Sequence, residues 1–131
     1  MSRAFLDTHV AYWLALKPSE LPDQVVEKIN GYQSVVLSSI SIAELEIKSV
    51  LGKLQIVEEL TEKLVEAGII IEDYRADSAF ALSRFPALIK HDPFDRMIFA
   101  HAASKPNTTF FTADAVLLSL NLDWVFDAGH R

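Results

Sequence analysis

No cysteine occurs in the 131 residues. That removes disulfides and thiolate metal ligands together, and it fits a reducing, cytoplasmic setting. No Gly/Ser linker, low-complexity tract or internal repeat divides the chain, so 1–131 reads as a single domain. No apolar stretch approaches the roughly 20 residues that a bilayer-spanning helix needs, and no membrane partner is expected. In the opening "MSRAFLDTHVAYWLALK", Asp7 stands where a signal peptide should be apolar, so this segment is expected to belong to the fold. Basic charge is scarce as well: 12 Lys and Arg against 18 Asp and Glu leave a net charge of −6. A broad basic face gripping a phosphate backbone is poorly compatible with that balance. Nucleic acid remains open as a partner if acid charge is concentrated in one metal-binding pocket. The surplus also suits a basic protein partner.

Half of the residues are hydrophobic, enough to exclude disorder and to build one substantial core. The pattern alternates short apolar strands with amphipathic helices. "RAFLD" (3–7) predicts a strand and 8–16 a helix that stops before Pro18. A helix over 22–31 ends at Asn-Gly, and "SVVLS" (34–38) is a second strand. Helices follow over 41–54, ending near Gly52, and over 56–68. "IIIE" (69–72) makes a third strand, and 76–85 a helix before Pro86. Beyond it come a helix over 92–104, a strand "TTFFT" (108–112), a short helix over 113–118 and a last strand at 124–126. This order predicts an α/β fold, a parallel sheet covered on both faces. Working residues in such sheets gather beyond the carboxyl ends of the strands.

Four acids fall near that edge. Asp7 ends the first strand, Glu44 lies in the first turn after the second, Asp95 opens the helix before the fourth, and Asp114 follows the fourth. Each of the last three has a structural reading. Ser41-Ile-Ala-Glu44 is a capping-box pattern, Asp92-Pro93-Phe94-Asp95 a helix start with Asp92 as cap, and Asp114 a first-turn acid. Asp7 is harder to explain so, since a strand-end acid gains little from capping. If all four converge, repulsion becomes decisive. Two carboxylates 5 Å apart repel by roughly 3 kcal/mol at an effective dielectric near 20. Six such pairs would approach roughly 20 kcal/mol, above the 5–15 kcal/mol stability of a typical domain. A cation or protonation must then offset it, and a hard divalent cation with oxygen ligands, Mg²⁺ or Mn²⁺, is the natural candidate.

Together "FLDTHVAYWL", "SIAELEIKSVLGKL", "HDPFDRMIFAHA" and "FFTADAVL" resemble the PIN-domain ribonucleases, specifically the VapC-like toxins of type II toxin–antitoxin pairs, over about residues 3–126. "DPFDR" before an apolar helix and Glu…Ile-Lys…Leu-Gly-Lys-Leu are the specific parts. The resemblance implies an α/β/α sandwich with a parallel five-stranded sheet in order 3-2-1-4-5. It implies an acidic pocket that binds Mg²⁺ (or Mn²⁺) and cleaves RNA by a metal-activated water. Its acids fall on Asp7, Glu44, Asp95 and Asp114, and its supporting hydroxyls on Thr8 and Thr112. A homodimer and a cognate antitoxin, inserting a peptide into the cleft, are implied too. Ala43 replaces a tryptophan common in the family, at a position expected to serve packing.

Among the remaining candidates, Arg96 can contact phosphate or hold an acid in place, and an ordinary salt bridge explains it equally well. Glu46 should point about 200° away from Glu44 on the same helix. His9 and His91 can approach the pocket mouth, although surface or core places are favoured for them; His101 is expected at the core boundary and His130 in the tail. Tyr12 and Trp13 are expected in the core or a dimer interface. Two other functions compete. A non-catalytic PIN-like scaffold binding RNA or protein is disfavoured by retention of all four acids. A receiver-type signalling domain is disfavoured because "IIIEDY" ends no strand in a phosphorylatable aspartate and leaves Glu44 and Asp95 unexplained.

Overall fold

The computed structural model of the chain describes residues 2–49 and 57–129. Strands β1 (Arg3–Leu6), β2 (Ser34–Ser38), β3 (Ile69–Glu72), β4 (Thr108–Thr112) and β5 (Val125–Asp127) form one parallel sheet in the order β3-β2-β1-β4-β5. Alternate residues of each strand point to opposite faces, so each strand feeds two cores. Ala4, Leu6, Leu37, Ile69 and Phe111 face helices α1 (Thr8–Leu16), α2 (Asp23–Asn30) and α4 (Val57–Glu66). Phe5, Val36 and Phe110 face α6 (Pro93–Ala103) and α7 (Ala115–Leu118). Helix α3 (Ser39–Ser49) leaves β2 directly, and α5 (Ala76–Phe80) packs on α6. The result is a three-layer α/β/α sandwich.

Strand order fixes where a site can form. The chain runs outward from β1 through β2 to β3, then returns to place β4 on the other side of β1. Helices leaving β1 and β4 therefore diverge to opposite faces, and a crevice opens at their carboxyl ends.

Two predicted elements differ. The helix predicted over 76–85 stops at Phe80 and continues as tight 3-10 turns over 81–84 and 86–88. Pro86 lacks an N–H and bars helical geometry at Phe85, whose φ and ψ are −126° and 67°. The tightened turn delivers the Phe85 ring onto Phe99 and Trp124. Helix α3 begins at Ser39, two residues before the predicted start. Ser41 is thus inside the helix, and the capping box with Glu44 does not form. The predicted ends of this helix and the start of the next, with the Leu-Gly-Lys-Leu motif, lie outside the described residues, as does His130. Ala43 is exposed rather than packed.

His101 lies deeper than the boundary position expected of it. It is fully buried under α6, with Nδ1 2.8 Å from the Ser38 hydroxyl and Nε2 3.4 Å from Glu72 Oε1. Ser38 and Glu72 are register partners at the ends of β2 and β3; Ser38 satisfies Nδ1, while Nε2 and Glu72 Oε1 face each other without a hydrogen bond. No helix among the described residues is long and apolar enough to cross a membrane.

Candidate active site

Asp7, Asp95 and Asp114 owe their positions to joints between elements, whereas Glu44, expected in a first turn, lies in the second turn of α3 because that helix starts at Ser39. β1 ends at Leu6 and α1 begins at Thr8, so Asp7 alone spans the turn. Its amide still donates to Phe111 O, as a strand residue, while its carbonyl accepts from Ala11 as the start of a helix. Its side chain caps α1 after all: Oδ1 accepts the Thr8 amide at 2.8 Å. The expectation that a strand-end acid gains little from capping fails because the helix starts at the very next residue. Oδ2 accepts the Thr112 hydroxyl at 2.6 Å. Thr112, the last residue of β4, also accepts the Asp114 amide at 3.0 Å, tying the two acids through one side chain.

Asp114 is the N-cap of α7, not a first-turn acid. Its Oδ1 takes the Val116 and Leu117 amides, leaving Oδ2 free to face His91 Nε2 at 3.0 Å. Asp92 caps α6, its Oδ1 accepting the amides of Phe94 and Asp95 at 2.8 and 3.4 Å, with Pro93 at the first helical position. Asp95, within the first turn, projects sideways and lies 3.4 Å from His91 Nε2.

Glu44 is the most enclosed of the four, 4 % exposed. Oε1 accepts the Thr8 hydroxyl at 2.8 Å, and Oε2 accepts Lys48 Nζ at 2.7 Å. Thr8 spends its only proton on Glu44, so the Ser41 hydroxyl, 2.7 Å away, donates to Thr8. The earlier start of α3 is what brings Ser41 here.

A cavity of about 330 Å³ joins these groups, lined by Asp7, His9, Trp13, Glu44, Lys48, Asp92, Asp95, Ala113 and Asp114. That is roughly ten water volumes, room for hydrated ions or a phosphodiester group, with the rest of any polymer outside. All four predicted acids meet here, with Thr8 and Thr112 bonded to two of them. Arg96 instead donates to the Ile89 carbonyl at 3.4 Å and does not line the cavity, and neither does exposed Glu46. His9 lines the cavity and His91 sits against Asp95 and Asp114, so both take the less favoured of the places open to them; Trp13 packs on the core and also lines the cavity wall. Lys48 was overlooked as a site residue, although its spacing of four from Glu44 on a helix signals contact.

Electrostatics mark the pocket as short of positive charge. Burial pushes the Asp95 carboxyl up to about 7, with Asp7, Asp92, Glu44 and Asp114 adding to the effect. Burial also raises Asp7, against the lowering effect of its Thr112 and Thr8 hydrogen bonds. The Lys48 ammonium is raised chiefly by its bond to Glu44. The donor set of carboxylates and hydroxyls fits a hard divalent cation. His91 Nε2 and one oxygen each of Asp95 and Asp114 lie within 4.8 Å of one another, close enough to share an ion.

The sequence model of the PIN domain matches residues 4–121, about nine-tenths of the chain. The chain belongs to the PIN-domain family. Solved structures agree with this fold. A chain of VapBC2 from Rickettsia felis, bound to a DNA fragment from their promoter, is 19 % identical with a TM-score of 0.67, over 97 % of this chain and 99 % of that one. A chain of DNA-bound VapBC from Salmonella typhimurium is 21 % identical with a TM-score of 0.70, over 98 % and 100 %. A chain of FitAB bound to the IR36 DNA fragment is 20 % identical with a TM-score of 0.64, over 98 % and 96 %. No curated protein matches the sequence. The PIN domain here thus carries its acidic cleft at the switch point between β1 and β4.

Proposed function

We propose that this PIN domain, occupying the whole chain, is a metal-dependent endoribonuclease toxin acting in the cytoplasm and neutralised by a cognate antitoxin. The observation that carries the reading is the convergence of Asp7, Glu44, Asp95 and Asp114 from four separate elements on one cavity. They stay there although burial, with the neighbouring acids adding to it, drives one of them up to a pKa of about 7. Such perturbed groups cluster at functional sites. The likeness to chains of VapBC and FitAB complexes supports a toxin held by an antitoxin, and family resemblance supports a homodimer.

Mg²⁺ or Mn²⁺ would be held by the four acids, and when bound supplies Lewis-acid polarisation of the phosphodiester and a water of lowered pKa. The protein's part is to orient the acids. Thr112 aims Asp7 and, through the Asp114 amide, the second acid of the pair. Thr8 and Ser41 do the same for Glu44. Asp95, poised near neutral pH, gives up its proton readily as positive charge enters. No side-chain nucleophile is required.

The test is to incubate purified, antitoxin-free protein with total RNA and Mg²⁺ or Mn²⁺, then repeat with chelator and map the cut ends. Discrete cuts that vanish with chelator are expected. Absence of cleavage by folded, Mn²⁺-loaded protein would sink the catalytic reading and leave a scaffold that binds without cutting.

A further inference from the structure

Lys48 is the single lysine or arginine lining the acidic cavity among the described residues. It stands one helical turn beyond Glu44, and its Nζ donates to Glu44 Oε2 at 2.7 Å. The two ends of this pair differ sharply in environment. The carboxylate side chain is 5 % exposed and the lysine 55 %, so the ammonium sits at the cavity mouth between buried acid and solvent. Asp92 and Asp95 also act on it. Lys48 belongs to the Glu…Ile-Lys pattern and lies in the last turn of α3, where a basic side chain suits the helix end, and its place at the cavity adds a further role to that one.

We propose that Lys48 is an exchangeable counter-charge. It holds Glu44 while the pocket lacks metal, and turns outward to the phosphate of an entering strand once divalent ions occupy the acids. The proposal rests on the metal-dependent nuclease reading of the pocket. Both oxygens of Glu44 are engaged, one by Thr8 and one by Lys48. A divalent ion that needs a Glu44 oxygen therefore competes with the ammonium, and the two like charges repel at close range. A lysine on a flexible, solvated stem moves at little cost. Outside, it meets the one anion that must approach this acidic mouth. His9 and Trp13 also line the mouth, and their rings lie 5.8 Å apart, but neither carries a fixed positive charge.

A structural clamp and an exchangeable charge predict opposite signs. Mn²⁺ affinity of the full chain, read from free Mn²⁺ by electron paramagnetic resonance, is compared for wild type, Lys48→Met and Lys48→Arg, with melting curves checking the fold. Lys48→Met should bind Mn²⁺ about fivefold to tenfold tighter, because a competing positive charge is gone, and Lys48→Arg should stay near wild type. The salt dependence of cleavage at low RNA concentration is the second readout. Its log–log slope should be shallower by roughly 0.7 in Lys48→Met, one phosphate contact to a single strand, and restored in Lys48→Arg. Weaker or unchanged Mn²⁺ binding in folded Lys48→Met overturns the proposal, as does an unchanged slope. Wild-type protein that neither binds Mn²⁺ nor cleaves RNA overturns the pocket reading itself, and this proposal with it.

Discussion

Two buried polar clusters lie on this sheet, and they are neutralised in opposite ways. Beneath α6, Ser38, His101, Glu72 and Arg3 form a balanced set: Arg3 pairs with Glu72 at 3.1 Å, Glu72 lies 3.4 Å from His101, and His101 contacts Ser38. At the carboxyl ends of β1 and β4, five acids, Asp92 included, face one lysine and the imidazoles of His9 and His91. Hydrogen bonding does not set the balanced one apart as the better satisfied, because His101 Nε2 and Glu72 Oε1 are buried there without a hydrogen-bond partner. Net charge does. The balanced set can be explained by folding alone, whereas the acidic one leaves a deficit that only something from outside completes.

The comparison breaks most visibly at the acidic cluster. Asp7→Asn should reduce metal-dependent RNA cleavage by on the order of 100-fold or more, with melting unchanged or raised because one repelling charge is removed. Cleavage and melting on the same preparation check both halves, and full activity in the folded variant would falsify the metal-site reading. Glu44→Gln should show the same loss and Glu46→Gln none, since only Glu44 lines the cavity. Equal losses would mean the cleft has been drawn around the wrong face of α3.

In the balanced cluster the effect should move to stability. Ser38→Ala strips a fully buried imidazole of a hydrogen-bond partner and should cost about 1–3 kcal/mol. Arg3→Met, whose side chain and partner are each about a quarter exposed, should cost roughly 1–2 kcal/mol after solvent screening. Chemical denaturation measures these, and specific activity of the folded fraction should hold. A Ser38→Ala variant that melts normally but fails to cleave would erase the distinction between the clusters.

Acid titration should pull the two clusters apart more gently. Unfolded carboxyls titrate near 4, and Asp95 at about 7. Between those values the folded, metal-free protein holds a proton that the unfolded chain has released, so this contribution to stability grows as pH falls from 7 toward 4. Asp7, also raised, acts in the same direction. His101 is lowered from 6.5, chiefly by burial. Below pH 6.5 the unfolded chain takes up the proton first, and stability is lost as pH falls toward the folded value. Melting of metal-free wild type and Asp95→Asn from pH 8 to 5 isolates the first effect. The variant should lack the acid-side gain, and identical profiles would argue that Asp95 is not crowded by its neighbours.

The smallest effects belong to the cap beside the pocket. Asp92→Asn should be nearly neutral because asparagine caps about as well, while Asp92→Ala should cost roughly 1 kcal/mol. Asp95→Asn should lose cleavage at little change in stability near neutral pH. Melting and cleavage of the three variants with Mn²⁺ present decide the roles. If Asp92→Asn kills activity and Asp95→Asn spares it, they are reversed.

Local pattern determined most of the architecture. Apolar strands of the right length, helices of the right phase, and caps such as Asp92-Pro93 act through neighbours in the chain, so all five strands and the start of α6 were legible in advance. Asp7, Asp95 and Asp114 were legible as a group because each stands at a segment end, and parallel strands bring such ends to one edge; Glu44, in the second turn of α3, reaches that edge from inside a helix. Three matters were decided only by tertiary contact. Whether a histidine lies in the core, on the surface or against two carboxylates depends on what packs opposite it. For that reason His101 lies deeper than its helical phase suggests, and the pattern leaves His91 open between surface, core and pocket mouth. The partners of Ser41 and Glu44 lie on another helix, at Thr8, and not in a local capping box. The raised pKa of Asp95 comes from burial first and then from charges at the β1–α1 turn, the cap of α6, α3 and the cap of α7. No local stretch contains all of these, because Coulomb interaction and desolvation follow distance in space and not separation along the chain.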